Sequence, residues 1–165
     1  MAAPQPSWDS MRSMKKYVIL HNIRSAYNVG SIFRTADGAG VAKIYLTGYT
    51  PTPIDRFGRE QPEIQKTSLG ASETVPWEAR TTTEEVIEVF KRNSIEVAAV
   101  ELCAGAEDYK GYKQRRDTAY IFGNEIEGIR EDILALADVT LQIPMLGRKE
   151  SLNVSVAAGV VLFGT

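Results

Sequence analysis

The sequence contains one cysteine, Cys103, and one histidine, His21. A lone thiol cannot close an internal disulfide, and one thiol with one imidazole cannot build a zinc site. A reducing, cytosolic setting with no structural metal is the expectation. Apolar runs of the roughly 18 residues that suggest a membrane span are missing. Met1 to Ser13 also lacks the basic start and apolar centre of a signal peptide. These absences predict a soluble protein with no membrane contact, in which residues 1–15 form a flexible tail with Trp8 tacked onto the body. Nor is there a surplus of positive charge. Nineteen Lys and Arg stand against 21 Asp and Glu, so no global field pulls the chain onto nucleic acid, and such binding must come from local basic patches.

Several catalytic signatures are absent as well. No P-loop occurs, and Gly38-Ala39-Gly40 is followed by Lys43 where a dinucleotide fingerprint would need a third glycine. No nucleophile-elbow serine is present, and one histidine leaves little room for triad chemistry.

What is there suits one globular domain over residues 16–165, with 44% hydrophobic residues to build its core. Short β-type runs alternate with helical periods, the signature of an α/β domain with a mostly parallel sheet. Strands are expected at 17–20, 43–47, 95–102, 118–122 and 139–143. A helix is expected over 28–40 with Asn28 as its cap, and another over 82–93 from the Thr82/Glu85 capping box. A short helix runs through Ile129, Ile133, Leu136 and Ala137, and a small-residue-rich apolar helix over 152–163. Between them, residues 48–65 carry Pro51, Pro53, Gly58 and Pro62 and read as a long irregular loop.

Ligands in open α/β folds bind beyond the carboxyl ends of strands, which directs attention to three turns. In the first, Arg34 lies off the apolar stripe of Val29, Ile32, Phe33 and Ala36, and the missing side chain of Gly30 would let a phosphate or ribose approach the helix start. An anion site and a merely solvated arginine both fit that spacing. In the second, Gly123 permits close backbone approach, and Asn124 with Glu125 brings an amide and a carboxylate to the sheet edge. A glycine-bounded turn with surface acids is the plainer alternative. In the third, Ser151 and Asn153 open an apolar helix. One should cap it, leaving the other for a ligand beside Arg148 and Lys149.

Together these turns resemble the signature motifs of the SpoU/TrmH class of SPOUT RNA methyltransferases. Asn28-Val29-Gly30-Ser31-Ile32-Phe33-Arg34 resembles the first, and Phe122-Gly123-Asn124-Glu125 through Gly128 the second. Ile143-Pro144-Met145 with Ser151-Leu152-Asn153-Val154-Ser155 resembles the third, and Lys66-Thr67-Ser68-Leu69-Gly70-Ala71 a further family segment. The resemblance runs in order from about Tyr17 to the end of the chain.

It implies a SPOUT-type α/β knot, in which the C-terminal part forms a trefoil knot, and a cytoplasmic homodimer. S-adenosyl-L-methionine would be held in bent form by Gly123, Ile143 and Leu152, joined by Glu101 and Leu102 at a strand end. The implied reaction is methyl transfer to a ribose 2′-hydroxyl of structured RNA, with tRNA favoured over rRNA. Arg34 would clamp phosphate and stabilise the forming alkoxide, and Asn28 would position Arg34 or the ribose. Glu125 would brace the knot, while Ser151 and Asn153 would orient the centre. RNA contacts are expected among Arg24, Arg56, Arg59, Lys66, Arg115, Arg116, Arg148 and Lys149, all of which also serve as ordinary surface charge. Ser155, Ala158 and Gly159 would allow close helix approach across a dimer or within one chain. The alternative function is a non-catalytic RNA-binding module on the same fold, and cofactor binding separates the two. A generic α/β small-molecule enzyme ranks last, because it leaves the joint occurrence of three motifs unexplained.

Overall fold

The computed structural model describes residues 13–165, so Trp8 and most of the expected tail lie outside the described residues. Seven strands form one sheet: β1 (Lys16–His21), β2 (Lys43–Thr47), β3 (Trp77–Arg80), β4 (Glu96–Val100), β5 (Glu107–Asp108), β6 (Thr118–Phe122) and β7 (Val139–Gln142). Their order is β3-β2-β1-β6-β4-β7-β5, and every pairing is parallel. From β1 the chain first builds one wing through β2 and β3, then returns to build the other. The junction between β1 and β6 is therefore a topological switch point, where such sheets leave a crevice.

Helices cover both faces, as a parallel sheet requires. On one side lie α1 (Ala26–Gly38), α2 (Pro62–Ser68), α3 (Ala71–Thr74) and α6 (Val154–Gly164), and on the other α4 (Thr83–Arg92) and α5 (Glu131–Leu134). The period-2 alternation of β1 assigns the faces: Val18 and Leu20 pack with Ile32, Phe33, Val161 and Leu162, whereas Ile19 packs with Ile87, Phe90 and Ile133. All these side chains are essentially buried.

The expected strands are present: 43–47 and 118–122 with the expected bounds, 17–20 longer by a residue at each end, and 95–102 and 139–143 trimmed by one or two residues at an end. Helical boundaries differ more. The first helix starts at Ala26 rather than Asn28, because Ser25 is the cap and accepts the Asn28 N–H at 3.2 Å. Asn28 falls in the first turn, where its side chain is free for other work. The stretch 48–65 is not wholly irregular: Pro62 opens α2, a position where proline's fixed φ and missing N–H favour a helix start. The helix through Ile129 to Ala137 is reduced to the single turn of α5, and β3, α3 and β5 have no counterpart in the sequence pattern.

His21, at the end of β1, is buried rather than presented to a ligand. Its Nδ1 shares a 2.7 Å hydrogen bond with Thr83 Oγ1, which lies 2.6 Å from Thr47 Oγ1, so one polar chain ties β1, β2 and α4 together. Burial, aided by the charge of Arg130 and opposed by Glu84 and Asp132, pulls the imidazole pKa below 6.5. The unfolded chain therefore binds a proton at a pH where the folded protein does not. The stabilisation is complete above pH 6.5 and declines as pH falls below it. Urea midpoints should drop between pH 7 and 5.5, and His21→Gln should flatten that slope while lowering the midpoint at pH 7. An unchanged slope would contradict this assignment.

Candidate active site

A cleft of about 420 Å³ opens at the carboxyl ends of the adjacent strands β6, β4 and β7. Its walls come from residues 100–102 after β4, 122–128 after β6, Ile143 and Met145 after β7, and the approach to α6. Glu101, Leu102, Gly123, Ile143 and Leu152 all line it, as do Glu125, Ser151 and Asn153. Asn28 lines a shallower depression next to it with Arg24, Ser25, Glu125 and Ile126. Arg34 lines neither and is exposed on α1.

A single hydrogen-bonded chain joins the three turns. Glu125 accepts the N–H groups of Arg24 (3.0 Å) and Ser25 (3.1 Å) at the start of α1, together with Asn28 Nδ2 (3.0 Å). Asn28 Oδ1 in turn accepts from Asn153 Nδ2 at 3.2 Å, and Asn153 Oδ1 accepts the Ser155 N–H at 2.9 Å, capping α6. Partial burial raises the Glu125 pKa, but the Arg24, Asn28 and Ser25 donors outweigh it, and the net shift is downward. The carboxylate is thus held charged against the positive end of α1. With one end donating to Glu125 and the other accepting from Asn153, the Asn28 amide has a defined orientation.

The second turn is tightly built. Asn124 is buried and uses its whole amide: Oδ1 accepts the Ile126 and Glu127 N–H groups, both at 2.8 Å, while Nδ2 donates to Asn22 O (2.9 Å) and Tyr49 Oη (2.8 Å). It holds the turn and is not available to a ligand. Glu101 reaches across, accepting the Leu102 and Ile129 N–H groups, each at 2.9 Å. A Cβ on Gly123 would lie 2.6 Å from the Gly128 carbonyl carbon, so only glycine permits this approach of backbone to backbone.

One expectation needs correction. Gly30 is not an opening for phosphate or ribose: it is buried, and a Cβ there would meet Ile64 O at 2.5 Å, because α2 packs against α1 at that point. Of the two residues expected to divide capping from ligand contact, Asn153 is the cap of α6, and it also donates to Asn28. Sequence inspection also missed Ile126 and Met145 as lining residues and Asn124 as the keystone of its turn. An Asn following a strand-ending glycine is a recognisable Asx-turn signal that could have found the last.

The domain is thus a parallel α/β fold with a cleft beyond the carboxyl ends of β6, β4 and β7, and a polar network that runs from Glu125 on its wall to the start of α1. Residues 15–163 match the SpoU rRNA Methylase family, and the chain belongs to that family. It is 36% identical over 149 residues to a tRNA (guanosine(18)-2′-O)-methyltransferase of Thermus thermophilus, covering 88% of this chain and 71% of that protein. Among solved structures it is similar to the AdoMet-bound rRNA methyltransferase of Sinorhizobium meliloti, with a TM-score of 0.81 and 33% identity over 91% of this chain. This chain spans only 55% of that protein. A structure described as giving insights into the 2-OH methylation of C/U34 on tRNA matches with a TM-score of 0.77 and 25% identity, covering 91% of this chain and 93% of the other.

Proposed function

We propose that the protein is an S-adenosyl-L-methionine-dependent methyltransferase acting on a ribose 2′-hydroxyl of structured RNA in the cytoplasm, with tRNA favoured. The observation that carries this is the joining of three sequence-distant turns, at the cleft and the depression beside it, through the chain Glu125–Asn28–Asn153. The cleft suits the cofactor: about 420 Å³ lies within the ordinary range for small-molecule sites, and its lining mixes main chain at Gly123 with apolar Leu102, Ile143 and Leu152. Glu101 spends its carboxylate on backbone N–H groups, so its part is to shape the wall. The tRNA preference draws on the relatives, two of the three cited being described by a tRNA substrate. The interleaved order β6-β4-β7-β5 is consistent with the C-terminal trefoil knot that the family implies.

The bound cofactor supplies an electrophilic methyl group on a sulfonium. The protein's task is to align a poor nucleophile with that methyl and to stabilise the charge that develops on its oxygen. The Asn28 amide, fixed at both ends, retains a free lone pair and N–H with which to orient a ribose. A guanidinium has five donors and no acceptor, so Arg34 serves as a clamp on phosphate and on the forming alkoxide.

Arg34 stands outside the cleft, and a homodimer resolves this. Helix α6 is apolar all round, yet Val156 and Phe163 are 51% and 65% exposed on one stripe with Val160. Such a helix calls for a covering partner. Gly159 and Phe163 pack beside Thr35 and Gly38 of α1, so Arg34 flanks the same surface, and a second copy seated there would receive it. Transfer of labelled methyl groups to tRNA, followed by mapping of the modified ribose, tests the activity. Light scattering should give a dimer at micromolar concentration. No transfer to tRNA or rRNA, despite cofactor binding, would favour the non-catalytic module.

A further inference from the structure

Between β2 and α2 the chain projects a small hairpin, closed by an antiparallel bridge between Ile54 and Glu60. Asp55 organises its tip. Oδ1 accepts the N–H groups of Phe57 (2.8 Å) and Arg59 (3.0 Å), the Asp55 carbonyl accepts Gly58 N–H at 3.0 Å, and Gly58 takes the left-handed φ of 77° that the turn demands. Phe57 is held at this apex 67% exposed. The guanidinium carbons of Arg56 and Arg59 lie 4.7 and 5.1 Å from its ring centroid. Arg59 is compensated by Asp55, whereas Arg56 forms no ion pair among the described residues.

A lone exposed apolar side chain is ordinary. Here a set of hydrogen bonds to backbone N–H groups shapes the tip so that a phenyl and two guanidinium groups stand together at its apex. An aromatic face beside arginine is the chemistry that stacks unpaired nucleobases and tracks their phosphates. The hairpin is also rooted at the site. Thr50 Oγ1 accepts the Ile23 N–H of the first turn at 3.0 Å, and Tyr49 Oη accepts from Asn124 of the second at 2.8 Å. The tip at Phe57 lies at most about 24 Å from Thr50, a reach of a few nucleotides.

We propose that the 54–60 hairpin is a base-stacking finger, in which Phe57 receives an unpaired base of the substrate RNA near the methylated nucleotide and Arg56 takes an adjacent phosphate. This rests on the RNA-methyltransferase function proposed above and adds the element that selects unpaired RNA. Binding of unfractionated tRNA by wild type, Phe57→Ala, Phe57→Leu and Phe57→Trp tests it, with S-adenosyl-L-methionine calorimetry on each variant as the measure of an intact fold. Phe57→Ala and Phe57→Leu should weaken tRNA binding roughly tenfold with cofactor affinity unchanged, and Phe57→Trp should retain it. Single-stranded oligouridine should quench the added fluorescence of Phe57→Trp, and duplex RNA should not. Wild-type affinity in Phe57→Ala or in Phe57→Leu would overturn the finger alone. Loss of the dimer in Phe57→Ala would reassign the hairpin to subunit contact. A wild-type protein that binds the cofactor but no tRNA, no rRNA and no oligouridine would overturn the finger and the RNA function together.

Discussion

Arg34→Ala is expected to abolish methyl transfer, by about 10²–10³-fold or more, and to leave S-adenosyl-L-methionine affinity unchanged. The magnitude is that of removing one preorganised charge from a developing oxyanion. The selectivity follows from geometry, since Arg34 is exposed on α1 and lines neither the cleft nor its neighbouring depression. Arg34→Lys should recover only a small part of the rate, because a point charge cannot reproduce the planar fork that grips two oxygens. Titration calorimetry and a labelled-methyl assay read the two effects separately. Near-normal turnover in Arg34→Ala would remove the assigned role. Mixing Arg34→Ala with Asn153→Ala then decides whether the arginine acts across a dimer. If it does, each mixed dimer holds one intact site, and random exchange restores about a quarter of wild-type activity. If Arg34 acts within its own chain, the mixture stays as inactive as its parents.

The central strands were legible because a parallel sheet buries both faces, so 17–20 and 119–122 appear as unbroken apolar runs. The edge strand β3, Trp77-Glu78-Ala79-Arg80, has no such run, and β5 is two acidic residues that only tertiary context makes a strand. The site was legible as three turns, each weak alone and specific only together. What joins them was not: Asn28 meets Glu125 across 97 residues and Asn153 across 125, and no local pattern encodes pairings at that distance. The cap illustrates the cost. Asn28 and Ser25 are both capping residues, and only the structure shows that Ser25 takes the helix end and releases Asn28 to the network. The error at Gly30 has a linked cause, since the helix that fills its missing side chain, α2, begins inside the stretch read as irregular.

These two glycines make the sharpest paired test. Alanine at Gly30, which lines neither the cleft nor the depression beside it, would place Cβ against Thr67 Oγ1, 2.5 Å from Ile64 O and 3.0 Å from Ile64 Cα. Helices α1 and α2 must separate, at an overpacking cost of about 1–3 kcal/mol that the roughly 1 kcal/mol helical advantage of alanine offsets only in part. Gly30→Ala should lower the melting temperature while the protein that remains folded keeps most of its cofactor affinity. At Gly123 the new Cβ would sit 2.6 Å from the Gly128 carbonyl carbon and 2.7 Å from its oxygen. Relief requires moving the turn that Asn124 and Glu101 hold in place, and that turn is the cleft wall. Gly123→Ala should therefore raise the dissociation constant for S-adenosyl-L-methionine about 100-fold, equivalent to roughly 2.7 kcal/mol, out of proportion to its effect on melting. Calorimetry and thermal unfolding on both variants distinguish the cases. Equal cofactor losses in Gly30→Ala and Gly123→Ala would show that affinity follows global stability, and Gly123 would then have no special place in the site.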